Sequence, residues 1–178
     1  MDTSQLTSPE LLKLHAGIAE ELRKRGISRS ANNPTGELAE YLFCKAFGWT
    51  LAGNSMANID AVGKDGSRYQ IKGRRTTRHG KARQLSAIRD LAGGHFDFLA
   101  GILFSEDYSV FRGAIIPHAI VVERGTFVRR TNTACGGDLR ATIVRWLSRD
   151  NYLESEVSEL MKAVSHAYVR GRFHTYSG

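Results

Sequence analysis

"NIDAVGKDGSRYQIKGRR", residues 58–75, is the stretch on which the fold turns. Asp65-Gly66 is strong turn chemistry, and the residues on either side alternate as strands do. The stretch therefore predicts a hairpin, with Asp60 on the first strand and Gln70 and Lys72 on the second. Residues two apart in a strand share a face, so Gln70 and Lys72 point together while Tyr69 and Ile71 point the other way. A turn at Asp65-Gly66 brings Asp60 close to that pair.

Working outward, two helices precede the hairpin. "SPELLKLHAGIAEELRKRG" has Ser8 as a cap, Pro9 in the first turn, and Leu11, Leu12, Ile18 and Leu22 at helical spacing, which predicts a helix over 8–25. "ELAEYLFCKAFG" predicts a second, ended by Gly48, with Leu38, Leu42, Phe43 and Ala46 on its apolar face. "WTLAG" predicts a short strand before the hairpin. After it come a basic loop, "RRTTRHGKARQ", and a predicted short helix, "LSAIRDLAG". "HFDFLAGILF" is a nearly continuous apolar run, as expected of a central strand buried on both faces. "YSVFRGAII" predicts its neighbour, ended by Pro117. Farther on, "AIVVERGTFVRR" predicts a strand pair, and "LRATIVRWL" and "LESEVSELMKAVSHAYV" predict helices. The expectation is one α/β domain over 1–178, a mixed sheet flanked by helices. Its core runs from about 36 to 117, with a C-terminal helical region over about 138–170.

The chain carries a net charge of +7 and has a pI near 9.7, which argues against small acidic metabolites and for a polyanionic partner, nucleic acid before membrane. The charge is concentrated just after Lys72, at Arg74, Arg75, Arg78, Lys81 and Arg83. No apolar run reaches transmembrane length, and "MDTSQLTSPE" has no signal-peptide pattern. Cys44 and Cys135 lack metal-ligand spacing and fit reduced thiols in a cytoplasmic protein.

Asp60 suits a hard divalent cation such as Mg²⁺, which wants oxygen ligands. The carbonyl of Gln70, or the backbone carbonyl of Ile71, could complete the shell. Lys72 can hold an attacking water or steady charge developing on a phosphate. A metal with a lysine is a working kit for phosphodiester hydrolysis. An Asp and a Lys on neighbouring strands also form ordinary surface ion pairs, and a lone D…QxK is a weak signal. The basic loop behind Lys72 and the acids Glu37 and Glu40 on the preceding helix add weight to the chemical reading.

The combination of "GELAE", "NIDAV" and "YQIK" resembles the PD-(D/E)XK nuclease superfamily, over about residues 36–104. The Q-x-K form is similar to that of Mrr-type restriction endonucleases. The resemblance implies a restriction-endonuclease-like αβββαβ core and a metal-dependent DNA endonuclease, with restriction chemistry the first expectation within it. By that likeness Asp60 and Glu37 hold Mg²⁺, with Mn²⁺ as a substitute, the Ile71 carbonyl adds a ligand, Gln70 orients the metal shell and Lys72 positions the nucleophile. Glu37 matches the superfamily's helix acid in register, and Glu40, one turn on, can reach the same region. A favourable charge at a helix N-terminus also accounts for either. Two departures stand out: no proline precedes Asp60, and Gln70 replaces the second acid.

DNA is the expected partner. Arg74, Arg75, Arg78, Lys81 and Arg83 are expected on its backbone, with Arg83 and Gln84 able to reach base edges. By the same resemblance, double-strand cutting by one small site implies two copies, a homodimer. A Holliday junction resolvase-like nuclease and a DNA-binding module that keeps the fold without catalysis are the alternatives. Metal-dependent cutting and a preference for four-way junctions separate the three.

Overall fold

The computed structural model describes residues 2–30, 32–53, 58–78, 85–124, 126–129 and 139–142. Two helices lead, α1 at Ser8–Lys24 and α2 at Thr35–Phe47. Helix α1 starts after Thr7 rather than Ser8: Thr7 donates its N–H and its hydroxyl to the Glu10 carboxylate at 2.8 and 2.7 Å, a reach-back that fixes the first turn. Helix α2 stops at Gly48, which takes the left-handed backbone (φ 66°) that a side chain disfavours.

A five-stranded mixed sheet follows, in the order β1 (Thr50–Leu51), β2 (Ala61–Val62), β3 (Arg68–Arg75), β5 (Phe98–Phe104), β6 (Val110–Pro117). Strands β1, β2 and β3 form an antiparallel meander, β3 and β5 run parallel in register from Tyr69–Phe98 to Arg75–Phe104, and β6 returns antiparallel. The hairpin turn lies where Asp65-Gly66 predicts it, with Gly66 at φ 83°. The fold is a mixed α/β sheet flanked by helices.

The two sides of this sheet are covered differently. On one side α2 inserts Leu38, Ala39, Leu42 and Phe43 against Ala61, Ile71, Ala100, Ile102 and Phe104. Gly73 lets α2 come close: a Cβ there would meet the Thr35 carbonyl oxygen at 2.7 Å and Ala39 Cβ at 2.8 Å. A row of stacked rings, Phe47, Trp49, Tyr69 and Phe98, extends that layer, with Trp49 and Tyr69 centroids 3.7 Å apart. On the other side Ile88, Leu91, Phe96 and Val121 pack on Leu99 and Ile116. Among the described residues, that second layer packs on β5 and β6.

Three elements differ from the sequence expectation. Residues 85–93 form a short strand, β4 (Ile88–Arg89), and a 3-10 turn, Leu91–Gly93, instead of a helix. Asp90 between them has φ 46°, which breaks a right-handed helix, while Ile88 and Leu91 still reach the core. Residues His118–Arg124 form a helix, α3, in place of the first strand of the predicted pair. The β-branched run Ile120, Val121, Val122 favours a strand locally, but burial of Val121 beneath the sheet decides for the helix. Leu139–Thr142, expected as helix, is strand β8. It pairs with β4 and with β7 (Thr126–Arg129) in a second, three-stranded sheet. The helix expected over 153–169 and Cys135 lie outside the described residues. No helix among the described residues is long and apolar enough to cross a membrane.

Candidate active site

The β2–β3 ladder is short, pairing only Ala61 with Tyr69 and Val62 with Arg68. Just before β2, Asp60 keeps the register by donating its N–H to the Tyr69 carbonyl at 2.8 Å. The Asp60 carboxylate then takes the place of the next backbone partner. Its Oδ2 accepts the Ile71 N–H at 2.6 Å and the Gln70 side-chain amide at 2.9 Å. Among the described residues no hydrogen bond reaches Oδ1. Gln70 is 6% exposed, so the carboxylate is what satisfies its buried N–H.

This contact puts Asp60 and Gln70 on one face of the sheet. Alternation puts Lys72 and Arg74 there as well, while Tyr69 and Ile71 face α2. In an extended strand a residue's N–H and C=O point to the same edge, so the Ile71 carbonyl faces the edge on which Asp60 sits. Asp60 and Gln70 are therefore in contact, the Ile71 carbonyl faces the same edge, and Lys72 follows on the same face of the strand.

The two helix acids part company. Glu37 is engaged with the loop before α2: its Oε2 accepts the Ser28 hydroxyl, the Arg29 N–H at 3.0 Å and the Ser30 N–H at 3.4 Å. Burial works against its charge, but these hydrogen bonds outweigh burial and hold the carboxyl below its ordinary range. Glu40, one turn on, is the acid that feels Asp60 and Lys72. Its side chain is 16% exposed and pairs with the Arg29 guanidinium. Burial pushes the Glu40 carboxyl up, Arg29 and Lys72 oppose the rise, and Asp60 and Glu37 add to it. The register of "GELAE" favours Glu37. Hydrogen bonds commit Glu37 to the loop, while Glu40 is the acid whose charge is coupled to Asp60 and Lys72. Spacing alone does not separate them, because the distinction depends on where Ser28–Arg29 folds back. Burial pushes the nearby Cys44 thiol up to about 11, which leaves it a poor nucleophile.

The predicted backbone-binding arginines divide too. Arg74 shares the face of Lys72. Arg75 lies on the α2 face, 4.6 Å over the Tyr108 ring, because it is one residue out of phase. Arg78 pairs with Glu106 at 3.1 Å in an exposed contact, beyond the end of β3. Lys81, Arg83 and Gln84 lie outside the described residues. Among the described residues, no three of His, Cys, Asp and Glu gather as a metal cluster. No protein-family model matches the chain, and no curated protein matches it.

Proposed function

We propose that this chain is a metal-dependent DNA endonuclease of the restriction-endonuclease-like class, hydrolysing phosphodiester bonds on the Asp60–Gln70–Lys72 face of β3. One observation carries the reading: the Asp60 carboxylate meets Gln70 and Ile71 where the β2–β3 ladder ends, with Lys72 next on the same face. The order of α2, three meandering strands and a parallel fourth supports it, although a strand and a 3-10 turn stand where αβββαβ has its second helix.

The donors available fit Mg²⁺ or Mn²⁺. All are oxygens, as a hard cation prefers: Asp60 Oδ1, the Ile71 carbonyl and, from the helix, Glu40. Gln70 can add its carbonyl by turning its amide. Bound there, the cation supplies neutralising charge and a more acidic water. Asp60 binds and Gln70 orients Asp60. Lys72 donates to the attacking water or to the phosphate oxygen that gains charge. An amide in place of a second acid keeps an oxygen ligand and lowers repulsion of the scissile phosphate. The missing ligand then comes from the phosphate, which couples metal binding to DNA binding. The +7 charge supports a DNA partner, and a DNA substrate in turn fits a cytoplasmic protein. Cutting both strands with one site per chain calls for two copies.

The test is incubation of supercoiled plasmid and of modified phage DNA with purified protein, in Mg²⁺ or in chelator. Nicked or linear product in Mg²⁺ alone is expected. Binding without cutting in any divalent metal would overturn the reading in favour of a non-catalytic DNA-binding module, and exclusive cutting of four-way junctions would favour a resolvase.

A further inference from the structure

Arg29 has no place in the chemistry above, yet the structure builds a support for it. Ser28, 3% exposed, donates its hydroxyl to Glu37 and to the Ser30 carbonyl, the latter at 2.6 Å. Glu37 also holds the backbone N–H groups of Arg29 and Ser30 at 3.0 and 3.4 Å. One glutamate of α2 thus anchors the loop, and the loop presents Arg29 to the next glutamate, Glu40. The Arg29 side chain is 51% exposed, while that of Glu40 is 16% exposed. A single guanidinium nitrogen contacts Glu40, and among the described residues no other side chain bonds to the rest of the fork. An arginine held by its backbone, half in solvent, and paired with the glutamate that feels the charges of Asp60 and Lys72, suits a bidentate phosphate contact.

We infer that Arg29 is a ligand for a substrate phosphate, held on Glu40 until DNA arrives. This rests on the nuclease reading. Without DNA, Arg29 neutralises Glu40 and competes with a divalent cation for its carboxylate. A backbone phosphate draws the guanidinium away, and Glu40 becomes available to the cation at the moment the scissile bond is in place. Arg29 is then a positioning residue for the metal and a direct contact for DNA.

Two measurements on the full chain test this, neither of which reads cleavage. Calorimetry with Mn²⁺ and no DNA should show Arg29→Gln binding roughly five- to tenfold more tightly than wild type. The gain should vanish in the double variant Arg29→Gln/Glu40→Gln. Anisotropy of a labelled duplex in chelator, over a salt series, should show weaker binding by Arg29→Gln with a log–log slope lower by about one. Because Arg29 is half exposed, a thermal melt matching wild type is expected to confirm that the variant folds, and Arg29→Lys should restore part of the salt slope. A wild-type protein that cuts DNA, with an Arg29→Gln variant whose Mn²⁺ affinity and salt slope are unchanged, overturns the role of Arg29 alone. A wild type that binds neither Mn²⁺ nor DNA overturns this inference together with the nuclease reading.

Discussion

The two faces of β3 are one residue out of phase and opposite in purpose. Tyr69, Ile71 and Gly73 face α2 and are packed so closely that Gly73 has no room for a Cβ. Gln70, Lys72 and Arg74 face away, and among the described residues the apolar layer under β5 and β6 does not extend to them. One strand therefore serves as scaffold on one side and, in the proposed reading, carries the site on the other. The difference shows how a small sheet can keep a buried amide and a carboxylate: the rigidity comes from the helix side, and the polar side has only to satisfy its own hydrogen bonds.

Substitutions on the two faces should separate stability from chemistry. The largest effect on folding is expected from Phe43→Ala, which empties the centre of the helix-side layer and should cost about 3–5 kcal/mol in denaturant unfolding. Gly73→Ala should cost about 1–3 kcal/mol, since the new methyl meets the backbone of α2. Lys72→Ala, on the other face, should stay within about 0.5 kcal/mol of wild type. Equal losses from Gly73→Ala and Lys72→Ala would break the contrast.

Gln70→Glu sharpens it. The new carboxylate would stand where an amide now donates to Asp60 at 2.9 Å, so like charges replace a hydrogen bond. The metal-free variant should lose about 1–3 kcal/mol. Mn²⁺ should raise its melting temperature more than it raises that of wild type, because a cation relieves the repulsion. An identical response to Mn²⁺ in both proteins would contradict the charge argument for the amide.

The smallest effect lies at the far end of β3. Asp97 accepts the Arg68 backbone N–H at 2.8 Å and pairs with its guanidinium at 2.8 Å. The Arg68 hydrogen bonds lower its carboxyl from 3.8 to about 2. A depressed acid stabilises the fold above its ordinary value and loses that contribution as pH falls through the folded one. Asp97→Asn should therefore melt slightly below wild type at neutral pH, by at most roughly two degrees because the pair is largely solvated. The gap should close as pH falls from near 3.8 to about 2. A gap that widens on acidification would reverse the assigned sign.

Local chemistry made much of this legible. Asp65-Gly66 fixed the hairpin, alternation placed Gln70 and Lys72 on one face, and the continuous apolar run marked β5 as central. What escaped was decided at a distance. Ile88 and Leu91 have helical spacing, but Asp90 in a left-handed conformation turns the chain, and their burial comes from Leu99 and Ile116. Strand β8 depends on pairing with β4, some fifty residues earlier, which no local pattern reports. Glu37 and Glu40 differ by one helical turn, and only the fold of Ser28 and Arg29 against the helix tells them apart.

The most direct test of the proposed site compares wild type with Asp60→Ala and Lys72→Ala in two assays on the same duplex: cleavage in Mg²⁺, and binding in chelator. Each variant should lose cleavage by at least about a hundredfold while binding within roughly twofold of wild type, since in the proposed reading most of the backbone phosphate contacts are made by other residues. Undiminished cutting by Asp60→Ala would contradict the account at its centre.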